Sequence, residues 1–126
     1  MTTMQVEVVS VERPIWSGAA NAVYARTTDG EVGVLPGHTP LLGALEPGWV
    51  VRIDRADGPQ LRVAVHGGFL SVRNEGVSVL AELAETADDI DVARARAALE
   101  RADESDEGVA ARHRALARLR AVGESV

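Results

Sequence analysis

The side chains of this sequence best suited to chemistry are its three histidines, because imidazole can act as a base near neutral pH or bind a metal. His38, His66 and His113 are far apart, and no helical or hairpin spacing brings two of them to one metal ion. The sequence also has no G-x-S-x-G elbow, phosphate-binding loop, dinucleotide-binding glycine motif or H-E-x-x-H zinc motif. Each histidine is therefore assigned a surface or structural role, and neither a catalytic residue nor a metal site is predicted.

The acidic residues that precede residue 92 have a structural explanation. Asp88, Asp89 and Asp91 lie just before an alanine-rich segment, and Asp89 or Asp91 can cap a helix by accepting a hydrogen bond from its first free amides. Their negative charges also suit the positive end of the helix dipole. We therefore interpret these carboxylates as a helix start, and rank a catalytic role below binding or regulation.

Residues 33–42, with the sequence GVLPGHTPLL, form the most unusual segment of the chain. Two prolines and two glycines predict a turn or loop. Loops usually lie on the surface and are polar, whereas this one offers water only a histidine and a threonine. An apolar loop with His38 at its tip is unusual for a free protein.

Composition and charge restrict the function further. A length of 126 residues suits one domain, or one domain with an appendage. No apolar run is long enough to cross a bilayer and charges interrupt the N-terminus, so neither a transmembrane helix nor a signal peptide is expected. The net charge of −6 argues against nucleic acid, which demands a basic face. The absence of cysteine excludes disulfides and thiolate metal sites.

The amino-acid composition, and with it the predicted secondary structure, changes near residue 87. Fourteen of the eighteen valines, all five prolines and ten of the twelve glycines lie at or before Val79. Ten alanines lie between Ala93 and Ala121. Because β-branched residues favour strands and alanine is the best helix former, the first part is predicted to be β and the second helical.

The first part consists of short apolar runs separated by turn signals, which is typical of an antiparallel sandwich or barrel. Residues 49–54 and 60–66 should pair as one hairpin, and residues 69–73 and 77–82 as another.

The second part is predicted to form two antiparallel helices, with a break at residues 103–108 and a second helix that resumes at Val109. Large apolar side chains are too scarce here for an independent core, so the helices must pack weakly on the first part. The predicted fold class is mainly β plus α. An N-terminal antiparallel β-sandwich, residues 1–87, is followed by a C-terminal antiparallel two-helix hairpin, residues 88–126.

Three motifs, in this order, resemble those of the epsilon subunit of bacterial F-type ATP synthases. They are GVLPGHTPLLGALEPG, VHGGFLSV and IDVARA, and the match, including the order of sandwich and hairpin, runs over almost the whole chain. The resemblance implies a non-catalytic subunit of the rotating central stalk. Such a subunit couples proton-driven rotation to ATP synthesis and restrains ATP hydrolysis through a mobile C-terminal hairpin.

The resemblance also implies partners and a location. The sandwich would pack on the gamma subunit and the c-ring, and the extended hairpin would contact the alpha/beta catalytic head. The protein would lie at the cytoplasmic face of the cell membrane, attached only through the complex. The implied interface residues are Asp29, Gly30, Glu31, Leu35, Pro36, Gly37, His38, Pro40 and Leu41. Alternatively, Pro36, Gly37 and Pro40 only build a rigid turn, with His38 facing solvent.

Some members of this family bind ATP on the folded hairpin through the I-D-x-x-R-A motif. The resemblance thus implies no required cofactor, with ATP as a regulatory ligand. The matching residues are Glu85, Ile90, Asp91, Arg94, Ala95, Arg101, Arg114 and Arg118. Several converging arginines can hold phosphates by charge-assisted hydrogen bonds. A second interpretation needs no ligand, because an Asp91–Arg94 ion pair in a capped helix contributes about 0.2–0.5 kcal/mol by itself.

His66 departs from the family, which more often has a serine before the glycine pair. We expect a local difference in packing there and no change of function. A protein of another class also fits the composition, namely a free-standing β-sandwich ligand-binding or sensor protein with a helical tail. Binding to a gamma subunit distinguishes the two.

Overall fold

The computed structural model describes residues 2–126, in which seven strands precede two helices. The strands are β1 (Met4–Ser10), β2 (Pro14–Thr27), β3 (Gly30–Val34), β4 (Leu41–Ala44), β5 (Val50–Arg55), β6 (Leu61–Arg73) and β7 (Gly76–Thr86). A short 3-10 turn, Ala87–Asp89, leads to α1 (Val92–Arg101) and α2 (Asp106–Ala121). We call α1 and α2 together the helical hairpin.

The seven strands form one hydrogen-bonded sheet that closes on itself. Its order is β1-β7-β6-β5-β2-β3, β4 pairs with β6, and a further pairing of β1 with β2 closes the sheet. The predicted fold class is confirmed, with one exception to its antiparallel arrangement. Strands β1 and β7 are parallel, with Val6 opposite Val77. They come from the two ends of the β region, so no hairpin turn forces them to be antiparallel.

Both predicted hairpins are confirmed. Strand β5 pairs with β6, with Ile53 opposite Leu61, and β6 pairs with β7, with Arg73 opposite Gly76. At Gly68 on β6 the backbone of β7 leaves no room for a side chain, because an added Cβ would lie 2.3 Å from the Leu80 carbonyl oxygen. A residue without a side chain is therefore required at this crossing.

The main core is aliphatic and is built by alternation along the strands. In β1, Val6 and Val8 are fully buried, whereas Gln5 and Glu7 are exposed. The predicted single buried face of this strand is thus confirmed. The main core contains no helical residue among residues 2–126.

The two helices, of ten and sixteen residues, confirm the predicted two-helix hairpin. The Asp91 carboxylate caps α1 by accepting a hydrogen bond from the Arg94 amide at 3.0 Å. The predicted start of the second helix at Val109 is wrong, because α2 begins at Asp106. The Ser105 hydroxyl caps it, and the acidic residues of its first turn suit the helix dipole.

The helical hairpin packs on the sheet mainly through alanines. A second, separate cluster contains Ala64 of β6 with Ala117 and Ala121 of α2, and Val50 and Ile90 pack against it. Alanine buries little apolar area, so this contact contributes less than a leucine-rich one would. That residues 1–87 and 88–126 fold as separate domains remains a prediction. Within residues 2–126, no helix has both the length and the apolar character that spanning a bilayer requires.

Candidate partner-binding surface and hairpin contact

The loop after β3 is a tight turn that exposes apolar side chains. The His38 amide donates to the Leu35 carbonyl at 3.0 Å, and Gly37 has a positive φ of 87°, which favours glycine. Leu35 and Pro40 are exposed, as the sequence predicted for this segment. The His38 ring is half-buried, and its Nδ1 lies 2.6 Å from the Thr39 carbonyl oxygen. Since a carbonyl only accepts, this nitrogen carries the proton.

The predicted acidic turn lies at the other end of β3. Asp29 precedes this strand and Gly30 is its first residue, whereas the His38 loop follows it. The strand separates the two groups by about 14 Å of extended chain. Glu31 pairs with Arg26 at 2.8 Å. The structure therefore does not bring the nine predicted interface residues into one cluster.

A larger apolar surface escaped the sequence analysis. We call it the apolar patch, and it consists of Val9, Val11, Phe69 and Leu80, which line one shallow groove. Phe69 and Leu80 lie directly opposite each other on β6 and β7 and are 52% and 45% exposed. Exposed clusters of this kind mark interaction sites.

The strand register explains the exposure of this patch. Leu70 and Val79, the chain neighbours of Phe69 and Leu80, point into the core, so the latter two must point outward. Period-two alternation along β6 and β7 could have predicted these outward positions.

The helical hairpin contacts the sheet through a histidine, a glutamate and an arginine. The Oε1 atom of Glu85 on β7 lies 3.0 Å from His66 Nε2 on β6 and 2.7 Å from Arg118 Nε on α2. The His66 side chain is 7% exposed. Glu85 therefore joins the buried imidazole to the second helix. That His66 packs differently from the family's serine remains a prediction.

Burial, with the nearby Arg118 charge, lowers the pKa of His66 below its usual value, although the hydrogen bond to Glu85 opposes this shift. The ring is therefore neutral near pH 7. An ionised carboxylate only accepts hydrogen bonds, so Nε2 of the neutral ring carries the proton and donates to Glu85.

The structure brings together only part of the predicted nucleotide site. Glu85 and Arg118 contact each other, whereas Arg114 pairs with Glu107 at 3.0 Å. The remaining residues are dispersed: Ala95 is buried, Ile90 packs on the alanine cluster, and the side chains of Asp91, Arg94 and Arg101 are exposed on or beside α1.

The Asp91–Arg94 ion pair of the second interpretation does not form within residues 2–126. Asp91 binds the Arg94 backbone amide instead.

A second contact holds the end of α2. The Arg120 guanidinium carbon lies 3.9 Å from the centroid of the Trp49 ring. The same side chain donates to the Gly48 carbonyl through Nη1 at 2.6 Å. A cation over an indole contributes about 0.5–2 kcal/mol, depending on its desolvation. The hairpin is thus fixed at two polar points beside its alanine contact.

Comparisons with known proteins identify the family. The family model described as "ATP synthase, Delta/Epsilon chain, beta-sandwich domain" matches residues 3–87. The ATP synthase epsilon chain of Rhodococcus opacus (strain B4) is 52% identical over 122 residues, which cover 97% of this chain and 98% of that protein. The ATP synthase epsilon chain of Streptomyces griseus subsp. griseus is 54% identical over 119 residues, which cover 94% of each.

A solved structure agrees in fold over the same length. A chain in the cryo-EM structure of the Euglena gracilis mitochondrial ATP synthase, OSCP/F1/c-ring in rotational state 1, is 25% identical with a TM-score of 0.72. The match covers 97% of this chain and 82% of that one. The sequence resemblance is thereby confirmed, and this chain belongs to the family of ATP synthase epsilon chains.

Proposed function

We propose that the protein is a non-catalytic subunit of the rotating central stalk of an F-type ATP synthase. In this role it transmits proton-driven rotation to ATP synthesis and lies at the cytoplasmic face of the cell membrane, held there only through the complex. The family of the chain and the apolar patch support the proposal. The patch is the single observation that carries it, because a free protein gains nothing from exposing Phe69 beside Leu80.

The apolar patch is proposed to bind the gamma subunit. Apolar and aromatic side chains are typical of the fully buried centre of an interface, and charged residues are depleted there. The smaller loop at His38 and the acidic turn at Asp29 are proposed to contact the c-ring. Their position at opposite ends of β3 requires either a broad contact or two separate ones.

The helical hairpin is proposed to regulate ATP hydrolysis by moving between two positions. In the docked position the hairpin packs on the sheet, and in the extended position it would contact the alpha/beta catalytic head and hinder hydrolysis. The docked hairpin is held by a small alanine contact and by the hydrogen bonds of Arg118 and Arg120. Such weak packing suits a switch, because its two states must differ in free energy by only about a few kcal/mol.

Co-purification with the gamma subunit tests the proposed function. We expect the full chain and a purified gamma subunit to form a complex that survives gel filtration at micromolar concentrations, because an apolar interface of standard size supports such affinity. Failure to form the complex at these concentrations would favour the alternative, a free-standing β-sandwich ligand-binding or sensor protein with a helical tail.

We propose in addition that no cofactor is required and that ATP acts only as a weak regulatory ligand of the docked hairpin. Glu85 already holds Arg118, and Glu107 already holds Arg114, so a nucleotide must compete with carboxylates for these arginines. The expected affinity is about millimolar, which corresponds to about −4 kcal/mol. Cellular ATP at such an affinity would still favour the docked hairpin.

Titration with ATP, followed by amide NMR shifts, tests this second proposal. The amides of Asp91, Arg94 and Arg114 should move together and reach half-saturation near about 1 mM ATP. Glu75, in the β6–β7 turn, is the internal control and should not move. If none of the hairpin amides moves, the regulatory ligand is excluded, and the residues that match the family motif act only in capping α1 and docking α2.

A further inference from the structure

A cavity of about 720 Å³ lies between the sheet and the end of α2, and its wall contains four arginines but only two glutamates. We call it the arginine cavity, and four arginines line it: Arg26, Arg52, Arg62 and Arg120. A concentration of positive charge is unexpected in a chain whose net charge is −6. None of the eight residues of the predicted nucleotide site lines this cavity.

Aromatic rings hold three of the four guanidinium groups in place. Arg26 and Arg120 lie 4.0 Å and 3.9 Å from the centroid of the Trp49 ring, and Arg52 lies 4.2 Å from that of Tyr24. Stacking restricts the motion of long side chains, so less conformational entropy is lost when a ligand binds them. The cations are thus arranged before any ligand arrives.

Carboxylates neutralise only part of this charge. Glu31 pairs with Arg26 at 2.8 Å, and Asp54 lies 3.3 Å from Arg52. Glu124 also lines the cavity but pairs with Arg96, which lies outside it. These carboxylates therefore leave two of the four arginines without a counter-charge.

Arg62 and Arg120 form no ion pair within residues 2–126. Their hydrogen-bond acceptors are neutral, since Arg62 Nε donates to the Gln60 amide oxygen at 3.0 Å and Arg120 to a backbone carbonyl. Burial and the Arg26 charge lower the pKa of Arg120, which agrees with an uncompensated cluster of cations. Both side chains keep nitrogen donors available for an anion.

We propose that the arginine cavity binds a small anion of the diphosphate class, with Arg62 and Arg120 as its direct partners. Guanidinium groups match phosphate oxygens in geometry and form strong charge-assisted hydrogen bonds with them. The cavity volume lies within the range of small-molecule sites. Arg26 and Arg120 both stack about 4 Å from the Trp49 ring, so they occupy its two faces. No face of the indole is then left for a nucleobase, and the site recognises the phosphates alone.

Such a ligand would also stabilise the docked hairpin. Arg62 belongs to β6 and Arg120 to α2, so one anion would connect the sheet with the second helix. A ligand that binds only the docked form shifts the equilibrium toward that form. The cavity would thus give the hairpin a second regulatory input, separate from the proposed ATP residues.

The test uses the full chain, inorganic pyrophosphate as the probe, and the NMR signals of the two tryptophan indole N–H groups. Pyrophosphate should shift the Trp49 signal in a saturable manner and leave that of Trp16, which packs on the main core, in place. In Arg62→Gln the dissociation constant should rise by about tenfold, the loss of one charge-assisted hydrogen bond. Arg73→Gln is the matched control, because it removes an exposed arginine of the same strand that lies outside the cavity.

Three results would overturn the proposal. They are an absence of saturation at about 10 mM pyrophosphate, an equal weakening in Arg73→Gln, and an equal response to sodium chloride of the same ionic strength. A polyglutamate peptide that shifts Trp49 where pyrophosphate does not would instead identify an acidic segment of a partner protein as the occupant. Arg94→Gln should leave pyrophosphate binding unchanged, and a loss there would place the probe in the proposed ATP site.

Discussion

Replacing Leu80 with aspartate should abolish the stable complex with the gamma subunit. Leu80 lies within the apolar patch directly opposite Phe69, so the new carboxylate would be buried in an interface without a partner. An unpaired charge at such a place costs about 3 kcal/mol or more, which weakens binding by more than about a hundredfold. Gel filtration with purified gamma subunit, followed by titration calorimetry, measures the loss.

The fold should survive this change. Leu80 is 45% exposed, and aspartate in an exposed strand position costs at most about 1 kcal/mol. Circular dichroism and the thermal midpoint verify that the variant is folded. Val109→Asp is the matched control, because Val109 is 42% exposed but lies on α2, outside the patch. Normal binding by Leu80→Asp, or an equal loss in the control, would show that gamma binds elsewhere.

Replacing Glu85 with alanine should release the helical hairpin from the sheet. The substitution removes the acceptor shared by His66 and Arg118, and leaves Arg118 beside a buried ring without a counter-charge. Because both partners are largely buried, we expect the docked position to lose about 2 kcal/mol, roughly a thirtyfold change in the docked-to-released ratio. Hydrogen exchange at the α2 amides should accelerate, whereas that of the main core should not.

Glu107→Ala provides the comparison for this experiment. Glu107 also forms an ion pair with an arginine of α2, but it is largely exposed and belongs to the hairpin itself. Exposed pairs contribute little, so the change should shift docking by less than about 0.5 kcal/mol. Similar exchange rates in the two variants would show that Glu85 does not hold the hairpin.

Local signals in the sequence predicted the elements well. The turn around Asn74 joins β6 to β7, as predicted. Asp91 caps α1, as predicted, because its short carboxylate can accept a hydrogen bond from a free amide of the first helical turn. The predicted start of α2 is too late, because residues 103–108 are not a break: Ser105 caps the helix within them. Cap chemistry is local, so this signal was available.

Local sequence signals could not predict the contacts between distant parts of the chain. The apolar patch depends on which face of β6 is buried, and that face is set by the register with β7 and β4. The His66–Glu85–Arg118 contact combines three elements, and the stacking of Arg120 on Trp49 joins a helix end to the start of β5. The motif resemblance implies that Glu85 and Arg118 bind ATP, whereas in the structure Arg118 donates a hydrogen bond to Glu85.

The parallel pairing of β1 with β7 has a consequence for biosynthesis. The first strand finds one of its two neighbours only after the last strand has left the ribosome, and Ser78 then donates to the Glu7 carboxylate at 2.9 Å. Closure of the sheet is therefore a late event that joins opposite ends of the β region. Contacts of such wide sequence separation slow folding. Until β7 has been synthesised, one edge of β1 stays unpaired and is exposed to aggregation.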